Sequence, residues 1–101
     1  MPAYIVILRL HTRNPAKLQE YGAQAAALMA GHNAKFLARF GPSEVREGPG
    51  VEGVAIIEFP TLAEAKAWYE SPAYQDASQH RYQGGDYSVV IVEGGDPKAA
   101  K

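Results

Sequence analysis

The sequence predicts an α+β domain: four strands in one antiparallel sheet, with helices packed on one of its faces. Three observations carry this. Four short runs are largely apolar, three of them rich in β-branched residues, two stretches repeat apolar residues at helical spacing, and the order is strand, helix, strand, strand, helix, strand. At 101 residues with 47% hydrophobic and 21% charged content, the chain is of a size for one modest core.

The first strand is read in "AYIVILRLHT", residues 3–12. Asn14 then suits a helix N-cap and Pro15 the first helical position, where a missing N–H costs nothing. Leu18, Tyr21, Ala25, Leu28 and Met29 recur on one helical face, and the helix is expected to stop near Gly31–Asn33. "KFLARF" (35–40) is a second strand, followed by a turn-rich stretch with a short strand expected around Glu44–Glu47. "VAIIEF" (54–59) is a third main strand. Thr61 and Glu64 form a capping box ahead of a helix whose apolar face is Leu62, Ala65, Trp68 and Tyr69. Pro72 ends that helix, because proline disfavours helical geometry in the residue before it. Ser71 and Pro72 then start a second, short helix carrying Tyr74, with His80 and Arg81 following it. "YSVVIVE" (87–93) is the last strand. The domain is expected to span residues 1–94, with a flexible tail at 95–101.

That order is the ferredoxin-like βαββαβ plan. Sorting each strand by its period of two gives two sets of side chains. One holds Tyr4, Val6, Leu8 and Leu10; Phe36, Ala38 and Phe40; Ala55, Ile57 and Phe59; and Ser88, Val90 and Val92. It contains no charge and is assigned to the helix-covered core. The other holds Ile5, Ile7, Arg9 and His11; Leu37 and Arg39; Val54, Ile56 and Glu58; and Tyr87, Val89, Ile91 and Glu93. It too is mostly apolar, so an open sheet face of this kind requires cover. A twofold homodimer supplies a second sheet most simply, each buried aliphatic side chain contributing roughly 1.5–3 kcal/mol before association costs.

Whole function classes fall away on composition. A net charge of −1 steers the molecule toward neither nucleic acid nor anionic lipid. The absence of cysteine excludes disulfides, thiolate metal sites and cysteine nucleophiles. The longest apolar run, "AYIVIL", is far short of a membrane span, and no signal-peptide pattern opens the chain, so the expected location is the cytoplasm.

"FLARFG", "VREG", "VAIIEFP", "AKAWYESPAYQ" and "HRYQGGDYSVVIVEG" follow one another in an order and spacing that resemble the domain-of-unknown-function 1330 family (DUF1330) over residues 3–94. The resemblance implies a small dimeric α+β barrel, related in fold to cofactor-free monooxygenases, muconolactone isomerases and stress-response barrel proteins. The chain departs from that pattern at His32–Asn33, where relatives commonly carry a glycine pair, and at Phe40, where a glycine often follows the arginine.

The chemistry-bearing candidates are few. Arg39 and Glu58 are expected as neighbours on the less apolar face, forming a partly buried ion pair or serving as polar handles in an apolar cleft. Trp68, Tyr69 and Tyr74 would wall such a cleft and supply hydroxyls, and Arg81 would anchor an anion or a partner carboxylate. His32, at a helix C-terminus that favours its protonated form, and Glu58 are the candidate bases. His11 reads as a surface residue. The three histidines are far apart, so no metal site is expected, and no cofactor. "GPGVEG" (48–53) matches a dinucleotide-loop pattern in letters alone, since a strand follows it. Pro2, if exposed by loss of Met1, would resemble a tautomerase's proline base, but the rest of the chain lacks that pattern. The expectation is a homodimer binding a small, partly apolar, anionic or carbonyl-bearing molecule. The competing expectations are a cofactor-independent oxygenase or isomerase and a non-catalytic assembly module.

Overall fold

A computed structural model describes residues 1–95. Its elements are β1 (Ala3–Thr12), α1 (Pro15–Ala27), β2 (Lys35–Arg39), β3 (Gly53–Phe59), α2 (Leu62–Glu70), α3 (Pro72–Gly84) and β4 (Gly85–Glu93). The sheet runs β2-β3-β1-β4 with every neighbouring pair antiparallel, the ferredoxin-like arrangement. The tail expected at 95–101 lies, from residue 96 on, outside the described residues. No helix among the described residues is long and apolar enough to cross a membrane.

Local chemistry sets the joints. Asn14 occupies the N-cap of α1 as expected, but its side chain makes no capping bond. The backbone N–H groups of Arg13 and Asn14 instead donate to the Gly84 carbonyl at 2.8 and 3.0 Å. Thr61 caps α2 by accepting from the Glu64 amide at 3.1 Å. At the Pro72 corner one hydroxyl works on both helices. Ser71 Oγ donates to the Trp68 carbonyl at 2.7 Å and accepts from the Tyr74 amide at 3.2 Å. The second helix is not short, however: α3 runs 13 residues, so His80 and Arg81 lie inside it. It continues because it packs along α1, and it passes straight into β4. Gly84 permits that passage, since a Cβ there would overlap the Leu18 side chain of α1. No strand forms at Glu44–Glu47; residues 40–52 are a loop joining β2 to β3.

The phase of the alternation needs a larger correction. Residues directly opposite in an antiparallel pair share a face. Ile57 is opposite Ile5, and Ile5 is opposite Ile91; Ala55 is opposite Ile7, and Ile7 is opposite Val89. The helix-covered face is therefore Ala3, Ile5, Ile7 and Arg9 with Ala55, Ile57, Phe59, Tyr87, Val89 and Ile91. The expected assignment holds for β3 and is reversed for β1 and β4. In β2 a register shift between Phe36 and Ala38 keeps Phe36 on the covered side, expels Leu37 and sets Arg39 opposite Ala55. The face without helices carries Tyr4, Val6, Leu8, Val54, Ile56, Val90 and Val92, and its charged members are Glu58 and Lys35 at the β2 side. Val90 and Val92 are 52% and 47% exposed. The bare face is thus more uniformly apolar than the expected one.

Candidate functional site

Beneath the helices lies a row of packed aromatic rings. Phe59 meets Trp68 at 5.6 Å between centroids, Trp68 meets Tyr74 at 4.4 Å, and Tyr74 meets Tyr21 edge-on at 6.2 Å. Tyr21 continues to Tyr87 at 6.4 Å. Trp68 and Tyr74 are fully buried, and each finds a polar partner. Trp68 Nε1 donates to the Leu28 carbonyl at 3.1 Å, and the hydroxyls of Tyr21 and Tyr74 share a 2.7 Å hydrogen bond. Burial pushes both phenols up, Tyr21 further because the Tyr74 ring and hydroxyl reinforce the effect. Both hydroxyls stay protonated well into the alkaline range.

Arg81, 4% exposed, is embedded in the same row. No carboxylate among the described residues pairs with it. Its guanidinium carbon lies 4.7 Å from the Tyr82 ring centroid, 5.3 Å from Tyr87 and 5.9 Å from Tyr21. Aromatic faces, and the carbonyl end of α3 beside it, replace a counter-ion.

Between this row and β2 the sheet and α1 enclose a cleft of about 30 Å³, the space of one water. Ile7, Ala25, Ala55, Ile57 and Phe36 make its apolar wall, with Trp68 at one side. Its polar lining is the Tyr21 side chain and Arg39, whose guanidinium stacks on Phe36 at 4.7 Å. Gly22 on α1 leaves open space where a side chain would have stood. Phe40 closes the β2 end. Two larger hollows are surface grooves. One of about 310 Å³ runs past Gly31, His32, Asn33, Glu64, Phe59 and Trp68. Another of about 330 Å³ is lined by Arg9, Thr12, Pro15, Leu18 and Gln19.

Five of the seven candidate residues are gathered on the covered side, though not all at the cleft. Trp68 and Arg39 line it; Tyr74 and Arg81 stand one layer behind Tyr21; Tyr69 is half-buried against Tyr74 at 5.1 Å. His32 is exposed at the outer groove and shares only Trp68 with the cleft. Glu58 is on the bare face, 3.4 Å from Lys35 Nζ. The expected Arg39–Glu58 pair does not form, because the β2 irregularity turns Arg39 to the other side of the sheet. Tyr21, Gly22, Phe36 and Phe40 border the cleft without having been singled out as site residues. A glycine inside the apolar pattern of α1 was the available signal. Among the described residues no group of three His, Asp or Glu could hold a metal ion.

An antiparallel four-stranded sheet with helices on one face defines the class: a ferredoxin-like α+β protein. The model of the family described as a domain of unknown function (DUF1330) matches residues 2–95, and the chain belongs to that family. No curated protein matches it. A protein of unknown function from Rhodopseudomonas palustris is 20% identical with a TM-score of 0.70, covering 95% of this chain and 84% of its own. A dimeric protein of unknown function and ferredoxin-like fold from Bacteroides fragilis is 14% identical at a TM-score of 0.63, covering 91% and 95%. SnoaB, a cofactor-independent oxygenase from Streptomyces nogalater, is 13% identical at a TM-score of 0.66, covering 98% of both chains. These likenesses establish the fold.

Proposed function

We propose that the protein is a cytoplasmic homodimer that binds a small, partly apolar molecule bearing an anionic or carbonyl group. The binding place is the cleft between α1 and the sheet. One observation carries the reading: an incompletely filled apolar space inside the monomer whose polar lining is one arginine and one tyrosine. That is the composition of a small-molecule site, apolar walls with a few placed polar groups. Arg39 orients the anionic group, Tyr21 hydrogen-bonds it with Tyr74 and Arg81 fixing its ring from behind, and Trp68 supplies the wall. Pairing of the bare sheet faces forms the dimer, supported by their aliphatic surface and by ferredoxin-like neighbours described as dimeric.

Acetate, the smallest acid that carries an apolar group, tests this small site by titration. Trp68 is the single tryptophan and borders both the cleft and the outer groove, so its indole N–H resonance reports binding at either, and Arg39→Gln, at the cleft alone, tells the two apart. Saturable movement of that resonance is expected, weakened about tenfold or more in Arg39→Gln by loss of a charge-assisted hydrogen bond. An unmoved resonance at saturating acetate contradicts the reading and favours a non-catalytic assembly module. A second reading, a cofactor-independent oxygenase or isomerase, draws support from the fold shared with SnoaB. His32 would be its base, since its groove and the cleft have Trp68 in common. Glu58 is withdrawn from that role by its place on the far face beside Lys35.

A further inference from the structure

The groove between the end of β1 and the first turns of α1 differs from the cleft in size and in charge. It measures about 330 Å³, and Arg9, Thr12, Pro15, Leu18 and Gln19 line it. Arg9 is the single charged residue among them. An apolar cavity of ~150 Å³ holds a benzene ring, so this groove has room for a ring and a carboxylate together.

Arg9 is held in place without being saturated. The Phe40 ring lies 4.8 Å from its guanidinium carbon. Gly53 leaves room for both groups, since a Cβ there would stand 2.9 Å from Phe40 Cδ1 and 3.1 Å from Arg9 Nη2. Glu52 Oε1 is 3.4 Å from Arg9 Nε, an ion-pair distance, yet that buried Nε has no hydrogen-bond acceptor among the described residues. The Glu52 carboxylate is turned to Thr12 instead, accepting from its hydroxyl and amide at 2.6 and 3.2 Å. This clasp fixes a carboxylate beside the arginine and leaves guanidinium donors for another acceptor. The Arg9 side chain stays 26% exposed, at the groove.

The local charge favours an anion. Arg81 lies 5.3 Å from the ring of Tyr87, the residue opposite Arg9 in the sheet, and its own buried Nε also lacks an acceptor. Nearby, Arg13 pairs with Asp86 and Lys17 with Glu20, so those charges cancel. Two arginines against Glu52 alone leave one positive charge in excess.

We propose that this groove is a second binding site, for a single-ring monocarboxylate. Arg9 takes the carboxylate, Gln19 adds a neutral donor, and Pro15 and Leu18 cover the ring. A second negative charge on the ligand would face the fixed carboxylate of Glu52, so a dicarboxylate is disfavoured. The inference stands on the groove alone and is independent of the cleft.

The test titrates benzoate into labelled protein and follows the Leu18 methyl and Gln19 side-chain amide resonances. Saturable movement of both is expected in wild type, and equally in Arg39→Gln, which alters the cleft alone. Arg9→Gln should weaken benzoate about tenfold or more, through loss of a charge-assisted contact. Benzyl alcohol, the same ring without the charge, should bind wild type about tenfold more weakly than benzoate, a comparison that needs no variant to fold. Unmoved Leu18 and Gln19 resonances at saturating benzoate would remove the site. Equal affinity for benzoate and benzyl alcohol, or undiminished benzoate binding in folded Arg9→Gln, would remove the arginine as anchor and overturn the proposal. Movement lost in Arg39→Gln and kept in Arg9→Gln would assign the benzoate to the cleft, again overturning it.

Discussion

The two faces of one sheet solve burial in opposite ways. The helix-covered face holds Arg9 beside Ile5 and Ile7, with Arg39 at its β2 edge and Arg81 above it, and it accommodates these cations on aromatic rings. The bare face is aliphatic across its centre, with Val6 opposite both Ile56 and Val90, and admits charge only at its edge, where Lys35 meets Glu58. Only Arg81 is buried there; Arg9 is partly exposed beside Glu52, and Arg39 reaches solvent at the edge. The mostly apolar bare face is the one that the proposed dimer would cover.

Breaking the bare face should produce the largest effect. Val6→Asp places a carboxylate at its centre, and an unpaired buried charge costs several kcal/mol, enough to weaken self-association by about a thousandfold. Sedimentation should show the variant monomeric at concentrations where wild type is not. Retained wild-type association would mean that the copies meet elsewhere.

On the covered face the hydrogen-bonded pair of Tyr21 and Tyr74 is the next largest contribution. Tyr74→Phe strands the buried Tyr21 hydroxyl and should lower unfolding free energy by about 1–3 kcal/mol in urea titration. Adding Tyr21→Phe should recover part of that loss, since no unpaired hydroxyl then remains. Equal and additive losses would show that the bond contributes little beyond packing.

Alkaline pH tests the same pair without mutation. Tyr21, Tyr74 and, through burial, Tyr87 have raised pKa values in the folded chain. The unfolded chain releases these protons first as pH rises past the ordinary phenol value, so their contribution is whole below pH 10 and is lost above it. Ultraviolet titration should find part of the tyrosine signal appearing only with unfolding. Smooth titration of all six tyrosines in the folded state would refute the buried, bonded geometry.

The smallest effect belongs to the clasp. The hydroxyl of Thr12 is the chief cause holding the Glu52 carboxyl below its ordinary value. Its contribution is therefore present above the usual carboxylate pKa and lost as pH falls through the depressed one. Glu52→Gln should leave the melting temperature nearly unchanged while speeding amide exchange at Thr12. Unaltered exchange there would remove the clasp from the account.

Much of this architecture was legible in residue patterns. Pro15 and Pro72 marked helix starts, Thr61 a cap, and the apolar runs all four strands, because these signals are local. What escaped was relational. Each strand's alternation was readable, yet which half of β1 faces the same way as Ile57 depends on register, and register is set by pairing. The irregularity at Leu37 that moves Arg39 across the sheet has no mark in "KFLARF". α3 outran its expected length because its support is the flank of α1, distant in sequence. Trp68 and Arg39 line the cleft, whereas Tyr21 read only as core and Phe40 as core and as a departure from the family pattern.

Cover of the valine-rich side of the sheet by a second copy of the chain is the proposal on which the contrast between the two faces turns. It is tested most directly by isotope-filtered NMR on a mixture of labelled and unlabelled protein. Cross-peaks between copies linking the methyl groups of Val6, Ile56 and Val90 are the predicted result. Sharp monomer-sized spectra without such cross-peaks, or contacts between copies confined to the helices, would contradict it.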